Sequence, residues 1–113
     1  MPNRIYSFLG LAQKAGKLLS GDETCERAVK QDRVNLILVA EDASDNTKKK
    51  FKDICQYRNI DIVFFGEKKQ LGKHIGKDES SVLAVTDVGF SKRIKELVGI
   101  YAQQNGGEHI VKN

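Results

Sequence analysis

Apolar positions change period along the chain, from helical spacing to unbroken short runs and back. Between Asn3 and Gly16 the apolar residues fall at Ile5, Phe8, Leu9 and Ala12, the stripe of an amphipathic helix. Asn3 is the expected N-cap, and Gly16 stands where a helix end calls for positive φ. A short strand, KLLS, follows. Ser20 and Glu23 have the S-x-x-E spacing of a capping box, which predicts a second helix running to about Arg33. Cys25, Ala28 and Val29 form its apolar face.

The run VNLILVA is apolar without interruption over strand length, the mark of a strand covered on both faces. A third helix is expected next, with Ser44 and Asp45 at its start and Phe51, Ile54 and Cys55 as its buried stripe. DIVFF is a second buried strand, GEKKQLGKHIG a short helix, and SVLAVTDV another strand. Phe90, Ile94, Leu97, Val98 and Tyr101 mark a last amphipathic helix. Strands alternating with helices through short links predict a three-layer α/β/α sandwich around a small, mostly parallel sheet. Residues 1–105 form one domain in this reading, and 106–113 a flexible tail.

Composition narrows the class. At 113 residues with 40% hydrophobic content and one proline, the chain reads as a single globular domain able to bury its own core. No apolar run reaches membrane-span length and no leader pattern opens the chain, so the expected setting is the cytoplasm. The net charge of +4 suits an anionic partner. Lys48, Lys49, Lys50 and Lys52 cluster in one segment, and Lys68, Lys69, Lys73 and Lys77 in another. These are either basic patches or the solvated faces of ordinary helices.

Catalytic and metal signatures are missing. Gly66 and Gly72 enclose five residues where a phosphate loop has four, and His74 stands in place of the magnesium-binding hydroxyl. Cys25 and Cys55 form no C-x-x-C and read as small buried hydrophobes. His74 and His109 read as surface histidines. Glu41 and Asp42 are adjacent carboxylates at a strand end, where helix-start acids are common. No catalytic residue, cofactor or metal is expected. The aromatics, Tyr57 among them, mostly sit at core spacing, which argues against a base-stacking platform.

The segments GLAQKAGKLLSGDETCERAVK, LILVAEDASDNTKKK and LGKHIG together resemble the kink-turn-binding ribosomal protein superfamily, in particular its stand-alone bacterial, YlxQ-type branch. The resemblance spans roughly Arg4 to Tyr101. It implies an α/β/α sandwich with a mixed four-stranded sheet, no cofactor, and binding to structured RNA. In that family a glycine at a strand–helix junction precedes an Asn-Glu or Lys-Gln pair and then a basic residue. Here the glycine is Gly21, the pair falls on Glu23 and Thr24, and the basic residue is Arg27. Glycine permits close approach of an RNA backbone, the helix N-terminus favours phosphate, and the arginine pairs with phosphate. Lys17, Lys30, Lys68, Lys73 and Lys77 complete the candidate RNA-contacting set.

Three positions depart from the family pattern. Glu23 brings a negative charge, Thr24 offers only a hydroxyl, and the expected second contact loop, Lys77 to Ser81, is acidic and polar. For Gly21 and Glu23 a plain capped helix remains an open reading. The expected function is non-enzymatic binding of kink-turn-like or bulged RNA, with ribosomal RNA and a ribosomal or translation-related protein as partners. The alternative is a protein-interaction module that keeps the scaffold and docks through the acidic Glu23–Glu26 and Glu41–Asp42 edge.

Overall fold

A computed structural model describes residues 2–105 and 110–111. The elements run α1 (Pro2–Lys14), β1 (Leu18–Ser20), α2 (Asp22–Lys30), β2 (Leu36–Val39), α3 (Asp45–Arg58), β3 (Asp61–Phe64), α4 (Lys68–His74), β4 (Val82–Val85), α5 (Val88–Asn105) and β5 (Ile110–Val111). The expected α/β/α sandwich is present. Helices α2 and α3 pack together on one side of the sheet, and α1 packs against α4 and α5 on the other.

A four-stranded mixed sheet, β1-β4-β2-β3, forms the centre, and β5 adds a two-residue pairing on the outer edge of β3. The expected balance of strand directions is corrected. Only β2 and β3 pair in parallel, whereas β4 runs antiparallel to both β1 and β2. The apolar runs that suggested a parallel sheet report burial on both faces. Here two helical layers bury β2 and β4 completely whatever their direction. The tail expected at 106–113 lies outside the described residues except for Ile110 and Val111.

Local chemistry explains the helix ends. The α1 terminus is a Schellman motif: the Lys17 N–H donates to the Ala12 carbonyl, the Gly16 N–H to Gln13, and Gly16 has φ +73°. Asn3 does not cap this helix, which already begins at Pro2. Ser44 caps α3 as expected, its Oγ accepting the Thr47 N–H at 3.1 Å. Helix α2 stops at Lys30 rather than Arg33, because Asp32 turns left-handed at φ 58° and the Arg33 N–H closes back on Ala28.

The core is continuous across the sheet. Ile5, Leu9, Cys25, Val29, Phe51, Cys55, Phe65, Leu71 and Ile94 join the β2 and β4 side chains in it. Phe65 packs edge-on to Tyr101 and tilted against Tyr6. Removing such buried apolar area from water is the main stabilising force in a domain of this size.

Candidate nucleic-acid interface

The β1–α2 junction turns on Gly21, with φ 102° and ψ 145°, a conformation that side chains disfavour. An added Cβ there would meet nothing closer than Thr24 Oγ1 at 3.9 Å, so the glycine is required by backbone conformation and not by crowding. The Gly21 N–H donates to the Val82 carbonyl at 3.2 Å, which ties the turn to the start of β4. No side chain caps α2. The expected Ser20–Glu23 capping box is therefore corrected: Ser20 is held in the β1 ladder opposite Leu83, and the N-cap position falls one residue beyond it, on Gly21. The first turn of α2 thus points its N–H groups and the positive end of its dipole outward.

The same antiparallel β1–β4 pairing brings the segment before β4 beside this junction. The Lys77 N–H donates to the Gly72 carbonyl and the Ser80 N–H to the Lys68 carbonyl, folding the 76–81 loop back on α4. Gly72 makes that fit possible, since a Cβ would sit 2.4 Å from Glu79 Cα. Between the two segments lies a hollow of about 290 Å³ lined by Ser20, Gly21, Asp22, Thr47, Lys77, Glu79, Ser80 and Ser81. Beside it, Glu23, Glu26, Arg27, Lys30 and Gln31 line a second, open hollow of about 490 Å³ along α2.

Charge along α2 is sorted by face. Lys50 of α3 pairs with Asp22 and, at 2.6 Å, with Glu26; Lys30 reaches Glu26 at 2.9 Å. Hydrogen bonds from Lys50 and then Lys30 hold the Glu26 carboxyl below its ordinary pKa. Those to Asp22 and then Glu26 raise that of Lys50. Glu23 and Arg27 are exposed and form no ion pair among the described residues. The acids facing α3 are neutralised, and Glu23, Thr24 and Arg27 are left on the solvent side.

Of the residues singled out from sequence, Gly21 and Lys77 line one hollow, and Glu23, Arg27 and Lys30 line its neighbour. Thr24 is exposed beside Gly21. Lys68 is one step removed: its N–H donates to Asp42 Oδ1 and its carbonyl holds the loop through Ser80. Lys73 is exposed on α4 and lines neither hollow. Lys17 lies at the far end of β1, where its carbonyl accepts the Thr86 N–H beyond the end of β4, and does not join the cluster. Sequence reasoning singled out neither Asp22 nor Thr47 and gave Lys50 no place beyond a basic cluster, because the contacts that make them relevant are long-range.

Other candidate chemistry is accounted for by structure. Glu41 Oε1 accepts the Gly66 N–H and Asp42 Oδ1 the Lys68 N–H, so these carboxylates organise the turn into α4. They also line a hollow of about 650 Å³ with Tyr6, whose phenol is pushed up by burial and accepts the Glu67 N–H. His74 is not a solvated surface histidine. It is half-buried, stacked on Tyr6 at 5.1 Å, with Nδ1 2.8 Å from the Gln70 carbonyl. Packing of α4 against α1 overrides the polar look of its segment. His109 lies outside the described residues. Cys25 and Cys55 are free and buried, as their spacing suggested. Among the described residues no group of His, Cys, Asp and Glu is placed to hold a metal ion, and no helix is long and apolar enough to cross a membrane.

An uncapped helix start on a glycine turn, set beside a loop folded onto α4, fits the family suggested by the sequence, and comparison with known proteins agrees. Residues 3–95 match the model of the ribosomal protein L7Ae/L30e/S12e/Gadd45 family, and the chain belongs to that family. It is 38% identical over 93 residues to the RNA-binding protein YlxQ of Bacillus subtilis (strain 168), covering 82% of this chain and 93% of that one. A solved structure of a protein with unknown function from Bacillus halodurans superposes with a TM-score of 0.81 at 39% identity, covering 84% of this chain and 96% of that one. The Giardia lamblia 15.5kD RNA binding protein shares the fold, with a TM-score of 0.69 at 18% identity, covering 84% of this chain and 82% of that one.

Proposed function

We propose that the chain is a non-enzymatic, cytoplasmic RNA-binding protein that grips a bent or bulged RNA of the kink-turn type, as part of a ribosomal particle. The observation that carries this reading is the meeting of the Gly21 turn with the Lys77–Ser81 loop across one hollow. A phosphate backbone can approach Gly21 closely, the free N–H groups of α2 face it, and Arg27 stands on the outer face of the same helix. The family match and the name of the Bacillus subtilis relative support RNA as the ligand class. Glu23 and Thr24 stand where the pair that reads the RNA bend would be, so base readout here differs from that of an Asn-Glu pair. The acidic edge that a protein-docking alternative would use is largely engaged, Glu26 by Lys50 and Lys30, and Glu41 and Asp42 by backbone N–H groups.

The test is a titration with a kink-turn RNA and a straight duplex of equal length at two salt concentrations. The expected outcome is preference for the kink-turn and marked weakening with salt as counterions are released. Arg27→Ala should cost ~1–3 kcal/mol of binding with the fold intact. Equal affinity for both RNAs, unchanged by Arg27→Ala, would refute the reading.

A further inference from the structure

Helix α3 turns its Phe51 and Cys55 face into the core, and Tyr57, two residues beyond Cys55, points away from it. Tyr57 is 85% exposed, against the core position its sequence suggested, and α2 and α3 carry no other exposed large hydrophobic residue among those described. Its ring lies 5.9 Å from the Arg58 guanidinium, a cation–π pair on the surface. With Lys30, Asp53, Ile54 and Arg58 it lines a hollow of about 270 Å³. Lys30 also lines the hollow along α2 that includes Glu23 and Arg27, so the two hollows meet at Lys30.

We propose that the Tyr57 hollow is a second RNA-contact surface, in which the Tyr57 ring stacks on an unpaired base while Lys30 and Arg58 hold the flanking phosphates. The inference rests on the RNA-binding reading above and extends it to a specific partner atom set. Charge favours an anion here. Asp53, the acid that lines the hollow, is engaged by Lys49 at 2.8 Å, and Glu26, which pairs with Lys30 at 2.9 Å, is shared with Lys50 at 2.6 Å. Lys30 keeps 58% of its side chain exposed, and the Arg58–Asp32 pair is loose at 3.7 Å. A protein partner would call for a broader apolar patch, whereas a single exposed ring between two cations is the chemistry of base stacking with phosphate tracking. The nine residues of α2 span ~14 Å, about four nucleotides at duplex spacing, so one RNA can reach both ends.

The experiment is anisotropy titration of a labelled kink-turn RNA with the full chain and its Y57A, Y57F and R27A variants. It is repeated with RNAs carrying an abasic site at each unpaired nucleotide in turn. Y57A should bind roughly ten- to a hundredfold more weakly, and Y57F within about twofold of the parent. One abasic site should weaken the parent but leave Y57A unaffected, which marks the two as partners. If R27A weakens binding and Y57A does not, the Tyr57 surface is refuted while the RNA-binding reading stands. If Y57F falls as far as Y57A, the hydroxyl and not the ring is used, and stacking is refuted. If the parent shows no preference for the kink-turn and no variant changes affinity, both readings fall together.

Discussion

Gly21 and Gly72 hold the candidate interface together through different physical constraints, and their alanine variants separate the two. Gly21 sits at φ 102° with open space around its absent Cβ, so alanine there strains the backbone without a collision. The expected loss of folding stability is ~1–3 kcal/mol. Gly72 has ordinary helical geometry, and alanine there would gain ~1 kcal/mol of helix propensity. Its Cβ, however, would stand 2.4 Å from Glu79 Cα, a backbone atom that must move. Overpacking of this kind costs ~1–3 kcal/mol, so Gly72→Ala should be net destabilising and should displace the 76–81 loop. Urea titration checks both variants. A Gly72→Ala protein as stable as its parent would mean that the loop does not rest on α4. RNA affinity should fall in both variants, through the turn in one and through the loop in the other.

At the scale of elements, the joining of α2 to α3 through Lys50 sets both the charge pattern of α2 and a dependence on pH. The folded chain lowers the pKa of Glu26 and raises that of Lys50. Glu26 therefore contributes stability that is complete above its ordinary carboxylate pKa and is lost as pH falls through the lowered value. Lys50 contributes stability that is complete below its ordinary ammonium pKa and is lost as pH rises through the raised one. Between these limits the pair holds its full value, which is modest because both groups face solvent and are screened by salt. Lys50→Met should flatten the acid limb of a stability–pH curve measured by denaturant titration. An unchanged acid limb would show that Glu26 draws nothing from Lys50.

Sequence pattern located these helices because their apolar stripes are local, and Ser44 and Gly16 marked ends that are set within a few residues. It placed the start of α2 one residue early because Ser20 had two roles open to it, cap or strand, and only pairing with Leu83 decides between them. Gly21 and Arg27 could be picked out through the family resemblance. Lys50 and Thr47 could not, since nothing local distinguishes a lysine that crosses to Asp22 from one that faces water. Tyr57 was misplaced for a related reason: an aromatic near a buried stripe looks like core until the helix phase is fixed.

For the molecule as a whole, the question is whether the two helical layers and the sheet open as one unit. Strand direction, which the apolar runs did not reveal, bears on this because β4 lies between β1 and β2 and joins the Gly21 turn to the centre of the sheet. Cys25 on α2 and Cys55 on α3 are native probes of that cooperativity. Both are fully buried, and burial pushes each thiol up to about 12. The Cys25 thiol also points at the carbonyls of Leu19 in β1, at 3.8 Å, and Val82 in β4, at 3.7 Å. Only the thiolate reacts with a thiol reagent, so at pH 8 the folded chain should be nearly inert, while an opened chain exposes ordinary cysteines. If the sandwich opens as one unit, both cysteines should be labelled at the same rate, and labelling should rise with denaturant in step with the loss of helical circular dichroism. Peptide-resolved mass spectrometry reads the two rates separately. Faster labelling of Cys55 would show that α3 detaches from a core that is still closed around Cys25, and would contradict a single cooperative unit.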